Sequence, residues 1–275
     1  MRVVTENITT IASGNYYMEG PAIDSEGKLY CTTLLGGSIL QISKDGTVSE
    51  WTRADCPNGQ FIFLNDEHIV CEAKSKCIAR FDAAGSFIQN EIENTCAGKK
   101  LTALNDLIAD KAGNIFFTDS VRHTGMLCYK GKAGNEVVLS ENLDYPNGLV
   151  LSHDEKTLFV AESYQNRIIQ FDISHVQEGL RHTVFANLPN NASGQEIDNL
   201  PDGIALHKNG IMAVAHYGMG VVQLLAANGK WIGSVEIEMR CSSNVIFLNE
   251  KTLFVTGGSN EPGPGFAKII ELNFQ

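Results

Sequence analysis

A weak repeat of about 45 residues runs the length of the chain and limits what it can fold into. Each copy reads as an apolar strand, a short polar turn often of the form D-x-x-G, and a second strand with β-branched or aromatic residues. Ala22-Ile23-Asp24-Ser25-Glu26-Gly27-Lys28-Leu29-Tyr30 and Leu107-Ile108-Ala109-Asp110-Lys111-Ala112-Gly113-Asn114-Ile115-Phe116 show it most plainly, with variants at Phe61–Val70, Leu149–Val160, Ile204–Val214 and Val245–Val255. Aligned on Leu29, Ile69, Ile115, Leu158, Met212 and Leu253, successive second strands lie 40, 46, 43, 54 and 41 residues apart. That is the length of one four-stranded propeller blade, and six such units fill the 275 residues almost completely. Third strands are predicted at Ser38–Ile42, Cys77–Phe81, Arg167–Phe171 and Val221–Leu225, and fourth strands at Thr47–Trp51 and Glu136–Leu139. Lys44-Asp45-Gly46, Ala83-Ala84-Gly85 and Ala227-Asn228-Gly229 supply hairpin turns. The sixth unit stops after its third strand, Lys268–Leu272, while Arg2–Ala12 stands alone ahead of the first. The simplest reading makes Arg2–Ala12 the outer strand of the sixth blade, which closes the ring and removes an exposed edge. The predicted fold is all-β: one domain over residues 1–275, a six-bladed β-propeller of four-stranded antiparallel blades closed by the N-terminal strand. Ser174–Gly179 has room for one helical turn.

Composition narrows the function. The chain carries 21 basic against 32 acidic residues, a net charge of −11, so no basic stripe is available to neutralise nucleic acid or an anionic membrane. No apolar run approaches a membrane helix, and Met1-Arg2-Val3-Val4-Thr5-Glu6 lacks the apolar run of a signal peptide. Seven cysteines without a CxxC pair, several inside apolar runs, read as buried free thiols of a reduced, cytoplasmic protein. The sequons at Asn7 and Asn191 are then chance matches.

Blade topology says where chemistry can sit. First-to-second and third-to-fourth turns share one face and are short and polar here. The other face collects Asp119–Met126, Glu162–Asn166, Ala186–Leu200, His216–Gly220 and Gly257–Gly265. Long loops gathered on one face of a rigid scaffold are where function usually lives. A polar residue stands at the entry to each innermost strand: Glu19, Asn58, Asn105, Asn147, Asp202 and Asn244. Asn-Gly and Asp-Gly are also ordinary turn signals. Yet Glu19 is not a turn residue, and Asn105 is followed by Asp106. Two carboxylates and several amide oxygens converging on an axis make a hard, all-oxygen site. It suits one divalent metal ion, Ca²⁺ first, with Mg²⁺, Mn²⁺, Zn²⁺ or Fe²⁺ as alternatives.

At these residues the chain resembles the senescence-marker-protein, gluconolactonase and luciferin-regenerating-enzyme-like family of six-bladed propellers. The resemblance is carried by Glu19-Gly20-Pro21, Leu104-Asn105-Asp106-Leu107 with Phe117-Thr118-Asp119, Tyr145-Pro146-Asn147-Gly148-Leu149 and Leu200-Pro201-Asp202-Gly203, and it spans essentially the whole chain. It implies a catalytic divalent metal surrounded by Glu19, Asn105, Asn147 and Asp202, with Asp202 as base or nucleophile. It also implies hydrolysis of a small lactone or ester substrate. Ala103 stands where sugar-lactonase members often carry an Arg that contacts substrate hydroxyls, so a sugar lactone loses that support.

A lactone carbonyl is a weak electrophile, and a metal ion can polarise it while Asp202 accepts a proton from water or attacks directly. His216 is a second candidate for the proton. Asn58, Asn105, His123 and Tyr164 are candidates for touching substrate, against the bland alternatives of surface histidines and interblade packing. Asp106 and Asp119 read as structural acceptors. Other functions for such a propeller are phosphotriester or aryl ester hydrolysis at the same site, a strictosidine-synthase-like reaction, or non-catalytic binding. The complete Glu, Asn, Asn, Asp set favours the hydrolases.

Overall fold

The computed structural model describes residues 3–274. Six antiparallel sheets form the ring, each a meander whose innermost strand comes first. The innermost strands are Met18–Ile23, Pro57–Ile62, Leu104–Ala109, Pro146–Leu151, Leu200–Leu206 and Cys241–Asn249. Each second strand falls where the repeat predicted it, for example Leu29–Thr33, Ile115–Asp119 and Met212–Tyr217. The D-x-x-G turns work by local capping. Asp24 Oδ1 accepts the N–H groups of Glu26 (3.0 Å) and Lys28 (2.8 Å), while Gly27 takes the left-handed conformation at φ 79°.

Closure follows the expected scheme. Val3–Gly14 pairs antiparallel with Gly265–Phe274 from Val3↔Phe274 to Gly14↔Gly265; Arg2 lies outside the described residues. The second blade carries an addition that the repeat did not announce, a hairpin of Thr95–Cys96 and Lys99–Lys100 on its outer edge. Ser174–Gly179 forms no helical turn. The single turns of 3₁₀-helix are instead Ser163–Gln165 and Glu196–Asp198, both on the long-loop face.

The core is distributed. Six apolar clusters each draw on two adjacent blades, such as Ile69, Ile78, Leu104 and Phe117 between the second and third. The cluster between the sixth and first contains Ala12, Met18, Cys31, Phe254 and Ala267, so the ends of the chain share one core. Strands buried on both faces show why apolar runs, rather than strict alternation, mark the second strands. All seven cysteines are free thiols and six are buried. Among the described residues no helix is long and apolar enough to cross a membrane.

Candidate active site

Every innermost strand is bulged at one level. The register slips between Glu19 and Ala22, Pro57 and Gln60, Leu104 and Leu107, Pro146 and Leu149, Pro201 and Ile204, and Ser242 and Asn244. A bulge re-aims a side chain out of the sheet. Around the ring, the bulged entries of five blades bring Glu19, Asn58, Asn105, Asn147 and Asp202 to one cavity. The pairs Asn58-Gly59, Asn147-Gly148 and Asp202-Gly203 are therefore not turns. Their glycines admit the neighbouring blade: a Cβ on Gly59 would lie 2.1 Å from Asp106 Oδ1, and one on Gly203 would lie 2.0 Å from Asn244 Oδ1.

Hydroxyl groups then lock one blade to the next beside these bulges. Thr32 Oγ1 donates to the Asn58 carbonyl (2.8 Å), Thr118 Oγ1 to that of Asn147 (3.0 Å), Ser163 Oγ to that of Pro201 (2.7 Å) and Ser243 Oγ to that of Met18 (2.7 Å). The ring residues are thus held by their backbones, leaving the side chains free for a ligand.

Glu19, Asn58, Asn105, Asn147, Tyr164 and Asp202 line one cavity of about 170 Å³ at the channel mouth. Glu19, Asn58, Asn147 and Asp202 are each less than a tenth exposed. Asn58 Oδ1 and Asn147 Oδ1 are buried without a hydrogen-bond partner. Asn147 Nδ2 donates to Ser163 Oγ (3.3 Å), which leaves its amide oxygen as the orphan. Burial first, then the charges of Asp106 and Glu261, push the Glu19 carboxyl well above the usual carboxylate range. Burial and then the charge of Glu19 do the same to Asp202. Two crowded carboxylates and two orphaned amide oxygens are what a hard divalent cation would satisfy. Among the described residues no group of three His, Cys, Asp or Glu gathers, so the donor set rests on amides as well as carboxylates.

Not every expected residue arrives. Asn244 sits one residue deeper than the ring. It donates from Nδ2 to Asp106 Oδ2 (3.3 Å), and Ser243 occupies the bulge instead. His123 lies outside the cavity with its side chain 71% exposed and Nδ1 3.4 Å from Asp144 Oδ1. His216 belongs to the strand Met212–Tyr217; it is fully buried and does not line the cavity. Its Nδ1 faces Gln223 Nε2 at 3.1 Å, and burial lowers its pKa to about 4, so the imidazole is neutral at pH 7. Its neighbour Tyr217 faces the cavity instead. Glu162 accepts the Asp144 N–H (2.9 Å) and pairs with Arg167 (2.6 Å), bracing the approach to Asn147. Asp119 accepts the Thr102 N–H at 3.0 Å, a structural role as expected. Asp106 accepts the Leu107 N–H at 2.9 Å, likewise a structural role as expected; it also faces the channel, and burial raises its pKa to about 6.

Tyr17, Tyr145, Tyr217 and Glu261 also line the cavity. Tyr17 and Tyr145 directly precede Met18-Glu19 and Pro146-Asn147, a placement visible in the sequence; Glu261 comes from the irregular Gly257–Gly265 loop. A larger groove of about 880 Å³ opens on the opposite face, lined by Phe61, Phe63, Leu64, Arg80 and Lys111. Two of its cations are paired, Arg80 with Glu67 and Glu91 and Lys111 with Glu155, and among the described residues it offers no orphaned polar atom.

The architecture is that of a six-bladed propeller with a buried, oxygen-lined cavity formed at the entries of its innermost strands. Residues 17–259 match the SMP-30/gluconolactonase/LRE-like region, and the chain belongs to that family. It is 25% identical over 248 residues to the lactonase drp35 of Staphylococcus saprophyticus, covering 85% of this chain and 74% of the relative. A solved gluconolactonase of Xanthomonas campestris superposes with a TM-score of 0.81 at 25% identity, covering 97% of this chain and 89% of that one. A calcium-binding regucalcin of Agrobacterium tumefaciens shares the fold with a TM-score of 0.79 at 16% identity, covering 99% and 96%.

Proposed function

We propose that the chain is a metal-dependent lactonase that opens a small lactone at the channel mouth. The observation that carries this reading is the pair of orphaned amide oxygens, on Asn58 and Asn147, set around the crowded carboxylates Glu19 and Asp202. Glu19, Asn147 and Asp202 would hold one divalent cation, most suitably Ca²⁺, with Asn105 directly or through water. When bound, the cation supplies Lewis-acid polarisation of the ester carbonyl and charge for the developing oxyanion. Asp202 accepts the proton of the attacking water or attacks the carbonyl itself. Asn58 and Tyr164 position the ring, and the tyrosines exclude bulk water. The cavity volume of about 170 Å³ is below that of a drug-sized site, which suits a small ring. The naming of the staphylococcal and Xanthomonas relatives as lactonase and gluconolactonase supports the same chemistry. A pH-stat panel of aliphatic, aromatic and sugar lactones, with paraoxon and phenyl acetate alongside, tests it. Turnover of at least one lactone above the two esters is expected; turnover of paraoxon or phenyl acetate alone would contradict it.

Cation binding should also appear in stability. Glu19 and Asp202 have raised pKa values, so their contribution in cation-free protein is fully present below pH 4 and is lost as pH rises through the raised values. A divalent cation favours the ionised forms and competes with protons. Saturating calcium is therefore expected to raise the melting temperature on the order of 5–10 °C at pH 8, and less at pH 5. Scanning calorimetry at both pH values reads this directly, and an equal or absent shift counts against the site.

A further inference from the structure

The segment 259–264 brings Glu261 to the cavity. The Tyr17 N–H donates to the Pro262 carbonyl (2.7 Å) and the Ser259 N–H to that of Pro264 (3.0 Å). A Cβ on Gly263 would fall 2.1 Å from the Asn15 carbonyl oxygen, so the segment lies close against the entry to the first blade. This places Glu261 on the cavity rim, exposed on its outer side.

Among the described residues no Lys or Arg lines the cavity. Two arginines on the same face are committed elsewhere. Arg122 stacks on Tyr164 at 3.6 Å and pairs with Asp144 (2.8 Å), and Arg240 pairs with Asp198 (2.8 Å). Glu19 and Asp202 together match the charge of one divalent cation. Glu261 is then left over, a negative charge at the cavity rim. Apart from the asparagines of the ring and Ser163, the rest of the wall is Leu34, Ile197, Leu200 and tyrosine rings. A carboxylate or phosphate on the substrate would meet Glu261 at the rim, where no Lys or Arg of the lining offsets it. An uncharged ring would pack against the aromatic wall.

We propose that Glu261 is a specificity-determining residue that sets this site against anionic lactones and in favour of uncharged or cationic ones, a reading that rests on the lactonase assignment above. A unit charge facing another across a solvated mouth corresponds to discrimination on the order of 10-fold. The test uses the calcium-loaded full chain and a five-membered lactone carrying either a carboxamide or a carboxylate. Wild type is expected to favour the carboxamide by about 10-fold in kcat/KM, mostly through KM, with added salt narrowing the gap. Glu261→Gln should narrow it by about 3- to 10-fold. A calorimetric affinity measurement on the matching lactam pair, which cannot be hydrolysed, reads the same preference without catalysis. An equal preference in wild type and Glu261→Gln overturns the proposal while leaving lactone hydrolysis standing. Lactams discriminated through Glu261 with no lactone hydrolysed would keep the charge selection and overturn the lactonase reading. No discrimination in either measurement removes the role of Glu261 outright.

Discussion

Asp202→Asn is expected to keep a folded ring and bind a divalent cation, yet lose on the order of 10²–10⁴-fold in lactone turnover. The variant preserves size and one oxygen ligand and removes the group that can accept a proton or attack. Asp202 is buried on the cavity wall with Glu19 the first charge acting on it. In the metal-free state the pair resists double ionisation; a divalent cation reverses this and keeps Asp202 available as a carboxylate. Glu19→Gln should behave differently, weakening cation affinity first and recovering part of its rate in excess cation. Steady-state kinetics across a calcium titration separates the two. Full rescue of Asp202→Asn by excess cation would reduce Asp202 to a ligand. His216 would not inherit the proton, because it is buried in its blade and does not line the cavity.

Deleting residues 1–14 should be comparably severe, for the fold rather than the chemistry. The strand Val3–Gly14 pairs along its length with Gly265–Phe274, and Val3 and Ala12 belong to two different interblade cores. Its loss leaves the edge of Gly265–Phe274 unpaired and opens both cores. Stripping several apolar side chains at about 1.5–3 kcal/mol each removes stability on the order of the 5–15 kcal/mol a native domain possesses. Insoluble protein, or a truncated chain without a cooperative melting transition, is the expected result. A truncated protein that melts like the full chain would contradict the closure described here.

The scaffold was open to reading because a propeller repeats one physical problem six times. Each second strand must be apolar on both faces, so Leu29, Ile69, Ile115, Leu158, Met212 and Leu253 recur at blade spacing. Closure was legible for the same reason: one strand too many at one end and one too few at the other. The ring of Glu19, Asn58, Asn105, Asn147 and Asp202 could be read from its recurrence, although the bulge that aims it could not. Where recurrence failed, so did the reading. The run Ser242-Ser243-Asn244 contains no Asn-Gly pair to set the register, and the choice of Asn244 fell one residue too deep. The sequence places His216 in a loop, whereas it is the penultimate residue of a strand in which alternation sends it into the blade and Tyr217 to the cavity. Glu261 reaches the site on an irregular segment whose path is set by contacts with Asn15 and Tyr17, and no local pattern announces those.

The most direct measurement follows cation content and lactone turnover together in one sample. Chelator-treated protein, with its metal content checked by mass spectrometry, would receive calcium in substoichiometric steps while hydrolysis of the best lactone is recorded. The expected result is negligible turnover without cation, rising in proportion to bound calcium and levelling at one ion per chain. Full turnover in protein shown to be free of divalent metal, or calcium binding that leaves the rate unchanged, would contradict a catalytic cation on the propeller axis.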